Sequence, residues 1–227
     1  MKYRYWALGV LTAALMGAAP ALAAPATVNV RVEGLNATIF DGSVTTDAHP
    51  IEQDKAGPQT CDGTNNGANP APGPTVTSAL DSALAWDGSY SHSLKDFLIT
   101  RIGPDASTST KFWGLVLNFK QLQVGGCQQQ VKTGDQVLFA YDLFSKKHVL
   151  ELTGPKTATS GKRFKVKVVD GQNGQPVAGA KVGVAHTNAQ GVANTSFRGT
   201  GRAVLKAGKA DSVRSNALVV KVKRARK

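Results

Sequence analysis

Reactive side chains are few in this chain, and their surroundings restrict what they can do. Cys61 opens the turn-rich run Cys61-Asp-Gly-Thr-Asn-Asn-Gly67, and Cys127 lies in Val124-Gly-Gly-Cys-Gln-Gln-Gln130. Two cysteines placed in such turns suit a disulfide better than nucleophilic catalysis, with a pair of free thiols as the alternative. The histidines His49, His92, His148 and His186 are scattered, and none has a second ligand at metal-binding spacing. No Gly-x-Ser-x-Gly elbow occurs. Asp54, Asp62, Asp87 and Asp105 sit in turns, where aspartate caps local backbone. Gly154-Pro-Lys-Thr-Ala-Thr-Ser-Gly161-Lys162 has the wrong glycine spacing for a phosphate loop. These readings predict a protein that is not an enzyme and needs no metal or cofactor.

Binding chemistry has more candidates. Trp86, Phe112, Trp113, Phe139 and Tyr141 fall in the first part of the chain, and Gln128, Gln129 and Gln130 adjoin Cys127. Aromatic faces beside amide side chains suit a flat organic ligand held by stacking and hydrogen bonds; the same aromatics also suit a core. Lys165, Lys167, Lys221 and Lys223 alternate with apolar residues, and Arg224, Arg226 and Lys227 extend that positive charge into the tail. Such a face attracts anionic polymers or a membrane surface with strong salt dependence. The second half holds no Trp or Tyr, which argues against specific nucleic-acid recognition.

The chain opens with a targeting pattern. Lys2 and Arg4 precede the apolar run Trp6 to Ala19, and Ala21-Leu22-Ala23 fits a small-x-small cleavage site. That run is short of the roughly 20 residues that an uncleaved membrane anchor needs. The expected product is a secreted or cell-surface protein cleaved near Ala23, with no transmembrane segment. From residue 24 to 148 there are 9 Lys+Arg against 12 Asp+Glu; from 149 to 227 there are 16 against 3. So abrupt a change predicts two modules, 24–148 and 149–223, with a basic tail over 224–227.

The elements that would position these residues follow from periodicity. Thr27 to Glu33 alternates as a half-buried strand, Gly34 to Asn36 turns, and Ala37 to Phe40 returns as a hairpin. Residues 45–74 hold five prolines and four glycines, predicting a long loop ordered by Cys61. Thr75 to Trp86 has a helical face with threonine at its start, and Asp87-Gly88 would end it. Strands are predicted over Phe97–Ile102, over Phe112–Asn118 and through Val137, Phe139 and Tyr141, the last introduced by the turn at Gly134-Asp135. In the second half, Phe164, Val166 and Val168 share one face, as do Leu218, Val220 and Val222. Turns at 170–175 and 187–191 flank Pro176 to Val184, so short strands alternate with turns as in a sandwich.

Two resemblances sharpen this outline. Thr27 to Asp142 resembles the β-grasp domain at the C-terminus of transcobalamin and intrinsic factor, also found in exported bacterial proteins. The matching residues are Val28-x-Val30-x-Val32, Phe112-Trp113 with Asn118, Gly125-Gly126, and Lys132-x-Gly134-Asp135-x-Val137-x-Phe139-x-Tyr141. Such domains usually carry Asn-Gly where this chain has Asn118-Phe119, which favours a longer connection over a tight turn. The resemblance implies one helix crossing one mixed sheet, and a cobalamin-like corrinoid as one ligand. That transporter also uses a large helical domain, for which this chain has no counterpart. Pro176-Val-Ala-Gly-Ala-Lys-Val182, Thr187-Asn-Ala-Gln-Gly191 and Val213-Arg-Ser-Asn-Ala-Leu-Val-Val220 resemble immunoglobulin-like modules of bacterial surface proteins.

The expectation is an α+β then all-β chain: a disulfide-pinned β-grasp domain followed by an immunoglobulin-like β-sandwich. Its expected role is non-enzymatic binding at the cell envelope, the first domain engaging a ligand or partner and the second holding to anionic envelope material. The alternatives are a corrinoid carrier or scavenger and an accessory domain pair of an extracellular enzyme system.

Overall fold

The computed structural model describes residues 23–53 and 57–225. Apart from Ala23, the expected targeting segment lies outside these residues, as do Asp54, Arg226 and Lys227. Among the described residues the chain is mostly β, with one α-helix and several sheets. No described helix is long and apolar enough to cross a membrane.

Strands β1 (Ala26–Glu33) and β2 (Thr38–Thr46) form the expected hairpin. Val28, Val30 and Val32 face a core that also contains Val76, Ala79 and Leu80 of α1 (Val76–Asp81). Thr75 caps that helix: its hydroxyl accepts from Ser78 N at 3.1 Å, and the Ser78 hydroxyl accepts from Thr75 N at 2.7 Å. The helix is shorter than the predicted span to Trp86. Its Asp81 carboxylate instead accepts the Trp86 indole N–H at 2.9 Å, and the Trp86 ring packs edge-on to Phe97. Tertiary packing of one tryptophan thus overrides a helical period. It also starts a strand the sequence did not suggest: β3 (Trp86–Ser91), paired with β4 (Asp96–Ile102), which pairs in turn with β5 (Asp105–Ala106).

Strand β6 (Trp113–Leu117) meets β7 (Lys120–Gln121) through a tight turn, contrary to the longer connection expected. Asn118 and Phe119 both adopt left-handed backbone, with φ of 49° and 63°. Two left-handed residues make a type I′ hairpin turn, which matches the twist of its strands. Asn118 is held there by its side chain: Nδ2 donates to Asp135 Oδ1 and Oδ1 accepts from Gln136 N, both at 2.9 Å. Phenylalanine pays a steric penalty of about 1–2 kcal/mol in this region. Its ring packs on Val116 and Leu138, close enough to Gly171 that a β-carbon there would collide with it.

Strand β8 (Gln136–Tyr141) completes a mixed sheet in the order β2-β1-β8-β6-β7, parallel to β1 and antiparallel to β6. Val137, Phe139 and Tyr141 face the helix-side core, as their alternation predicted. Leu138 and Ala140 are buried as well, on the opposite face, against Val149 and Val213. The long loop is less superficial than its composition suggested. Ile51 is fully buried and bridges Gln59, and Cys61 bonds Cys127 across 66 residues of chain.

Ten short strands follow: β9 (His148–Thr153), β10 (Thr157–Thr159), β11 (Phe164–Asp170), β12 (Lys181–Val182), β13 (Ala185–His186), β14 (Val192–Thr195), β15 (Gly201–Leu205), β16 (Ala207–Gly208), β17 (Ser212–Val213) and β18 (Leu218–Lys223). They form sheets β14-β11-β9-β17, β10-β18-β15 and β13-β12-β16, an arrangement compatible with a β-sandwich. Leu150, Leu152, Val166, Val168, Val182 and Leu205 lie in its core. A buried polar cluster ties the halves together. The Glu33 carboxylate accepts from Arg214 Nε at 2.7 Å and Lys206 Nζ at 2.5 Å, and Arg31 Nη1 donates to the Arg214 carbonyl at 2.7 Å.

Candidate apolar binding groove

Between β4 and β6 the surface opens into a cavity of about 400 Å³. Phe97, Trp113 and Leu115 form its floor, and Leu98, Phe112, Val124 and Phe144 stand on its rim. The rim residues are 54%, 48%, 47% and 65% exposed, far more than large apolar side chains with packing partners would be. Ser89, Thr100, Ser107 and Gln121 add hydroxyls and one amide, and no charged side chain among the described residues lines the wall.

Local structure explains how the rim assembles. Leu98 alternates outward on β4 while Phe97 turns into the core. Phe112 accepts from Asp142 N through its carbonyl at 2.8 Å, which brings the short turn carrying Phe144 alongside β6. That turn packs so closely that a β-carbon at Gly114 would strike Leu143. Gly125 and Gly126 serve the opposite rim, where β-carbons would collide with Asp96 and with Thr77. The edges flanking the groove are paired over short stretches. β7 pairs with Val116 and Leu117 of β6, extended by Leu122 N donating to the Leu115 carbonyl, and β5 pairs with Arg101 and Ile102 of β4, extended by Ser107 N donating to the Thr100 carbonyl.

Asp96 is an ionisable group built into the framework beneath this rim. Its Oδ1 accepts from Phe97 N at 2.9 Å and from Cys127 N at 3.1 Å. Burial raises its pKa above the usual aspartate value, although the N–H groups of Cys127 and Phe97 act in the opposite direction.

Of the aromatic and amide residues singled out by sequence, the structure brings Phe112 and Trp113 to the groove and leaves the rest elsewhere. Trp86 packs in the core beside Phe97. Tyr141 lies beneath the floor, edge-on to Trp113 at 5.3 Å, with its hydroxyl donating to the Ala106 carbonyl at 2.8 Å. Gln128 donates to Asp96 and Gln129 to the Gln130 carbonyl, while Gln130 donates to the Asp62 and Ala71 carbonyls. Gln130 braces the disulfide loop because its amide satisfies backbone carbonyls in the proline-rich segment. Leu98, Leu122, Val124 and Phe144 are groove residues that sequence reasoning missed. Alternation along β4 was a usable signal for Leu98; the others depend on which elements become neighbours.

The basic residues grouped by sequence belong to two different sheets. Lys165 and Lys167 point outward from β11, whereas Lys221 and Lys223 point outward from β18 and Arg224 is exposed just beyond it. Histidines occupy local roles. His148 Nδ1 lies 3.0 Å from Asp170, and His49 lies within 3.2 Å of Asp47 and Asp81. No group of three His, Cys, Asp or Glu side chains among the described residues is arranged to hold a metal ion. Comparison with protein-family models and with curated proteins finds no match to this chain.

Proposed function

We propose that this chain is an exported, non-enzymatic binding protein of the cell envelope. A β-grasp unit holds an apolar ligand in the groove between β4 and β6, and an immunoglobulin-like unit associates with anionic envelope material. The observation that carries the reading is the convergence of four exposed large apolar side chains on one uncharged cavity of about 400 Å³. That volume lies within the range of small-molecule sites, which are mostly apolar with a few orienting polar groups. The β-grasp assignment is supported by a mixed sheet with parallel β1 and β8, and by a helix packed on the face of β1 and β2. The immunoglobulin-like assignment is supported by the short strands arranged around the Leu150–Leu152 core. A complete corrinoid exceeds this groove, so only the edge of such a ligand would fit; a smaller planar or extended apolar molecule fills it better.

Fluorescence titration of the oxidised protein with anilinonaphthalene sulfonate, followed by a ligand panel that includes cobalamin, tests the reading. Saturable binding that the double variant Leu98→Ser, Phe112→Ser weakens at least tenfold is expected. Equal binding by parent and variant, both folded by circular dichroism, would reject the groove as the site.

A further inference from the structure

The outward row of β18 is continuous with cations from two turns. Lys221 and Lys223 alternate with buried Val220 and Val222, so both ammonium groups leave the same face of the sheet. Arg202 of β15 stands directly across from Lys221. At the far end, Ser160 N donates to the Lys223 carbonyl at 2.8 Å, bringing Lys162 and Arg163 to the end of the row. The Ser160 hydroxyl donates to the Arg198 carbonyl at 2.8 Å and adds Arg198 to the same end. All six side chains are exposed, and none forms an ion pair among the described residues.

Acids are few nearby: Asp41 of β2 shares a surface depression with Arg202 but pairs with Lys206 at 3.3 Å. The second half has three: Glu151 lies on β9 in another sheet, Asp170 pairs with His148, and Asp211 is engaged by Lys147 and Lys209. Like charges directly opposite each other on neighbouring strands are unfavourable, so the Arg202–Lys221 arrangement is relieved by an anionic partner. The β-strand also fixes the repeat, since alternate side chains are about 6.7 Å apart. A polymer with six backbone bonds per phosphate, extended at about 3.5 Å per three bonds as a polypeptide is, repeats its charge every 7 Å or so.

We infer that the outward face of β18, continued by the turns at residues 160–163 and 197–200, is a single-row binding track for a linear polyol-phosphate chain. The inference rests on the reading of the second half as the part that adheres to anionic envelope material, and it specifies the polymer and the residues. One row matches one chain of phosphates, whereas duplex DNA presents two rows across a groove. Bases of a single-stranded nucleic acid would lack stacking partners, because Phe164 and Phe197, the only aromatics of this half, pair with each other against the core.

Isothermal titration of the full chain with poly(glycerol phosphate) provides the test, run beside polygalacturonate and a short DNA duplex. About five neutralised phosphates predict a log–log salt slope near −3.5, or roughly 100-fold weaker binding at 200 mM than at 50 mM salt. The variant Lys221→Glu, Lys223→Glu should bind at least tenfold more weakly. The variant Lys165→Glu, Lys167→Glu carries the same charge change on the other sheet and should change affinity less than threefold. Equal losses in the two variants would replace the track with diffuse charge attraction. Tighter binding to polygalacturonate or DNA would overturn the polyol-phosphate assignment while leaving adhesion to anionic material intact. Failure to bind any of the three polymers would reject the adhesion reading together with the track.

Discussion

Removing the Glu33 carboxylate tests whether the two halves are locked by a buried charge. Glu33 keeps 2% of its side chain exposed and accepts from Arg214 Nε at 2.7 Å, Lys206 Nζ at 2.5 Å and Thr38 Oγ1 at 2.9 Å, with Arg31 at 3.8 Å. Glu33→Ala leaves three cations around an empty site, and they respond differently. Lys206 and Arg214 are 22% and 26% exposed and regain hydration; Lys206 also keeps Asp41 at 3.3 Å. Arg31 is only 8% exposed, and burial already lowers its pKa against the pull of Glu33 and Asp41. Breaking a buried ion pair costs about 3–5 kcal/mol, and the partial exposure of two partners places this case near 3. At roughly 2–4 °C per kcal/mol for a chain of this size, Tm should fall by about 6–12 °C. Scanning calorimetry supplies the number, and repeating it between 0.05 and 0.5 M salt supplies the mechanism. A buried lock is screened little over that range, whereas a surface pair would be lost. A loss below about 1 kcal/mol, or one that vanishes at high salt, would refute the account of Glu33 as the charged centre of the interface.

Two further substitutions follow from local geometry. At the left-handed Phe119, glycine relieves about 1 kcal/mol of strain that alanine retains, while both lose the packed ring. Phe119→Gly should therefore unfold at a higher denaturant midpoint than Phe119→Ala, the reverse of the usual order; Ala above Gly would contradict the strain argument. Asp96 has a folded pKa raised by burial, so its contribution is fully present below the unfolded pKa and is lost as pH rises through the folded one. Asp96→Asn keeps an acceptor for Phe97 N and Cys127 N and removes that loss. Melting curves from pH 3 to 7 should show the variant gaining on the parent as pH rises, and a widening deficit toward pH 7 would count against burial as the dominant cause.

Sequence and structure agree where one strand or one turn determines the outcome. Thr75 signalled its cap, Val28-x-Val30-x-Val32 signalled a buried face, and two turn-bound cysteines signalled their bond. Disagreement begins where neighbours decide. Periodicity could not show that Trp86 would leave its helix to pack against Phe97, nor that Lys167 and Lys221 would lie on different sheets. The run Val137 to Tyr141 held more information than its alternation. Five consecutive buried residues mean a strand covered on both faces, and here the second cover comes from Val149 and Val213. That cover lies on the face opposite the groove floor, where Phe97, Trp113 and Leu115 pack with the helix-side core. Val116, Leu138 and Ala140 are sealed by the second half, and Leu143 closes against Gly114, but Phe144 is already exposed one residue later. The rim of Phe112, Phe144, Leu98 and Val124 lies instead at the end of β6 that β7 and Leu122 do not reach. An apolar ligand bound there would occupy the place that a longer β7 would otherwise fill.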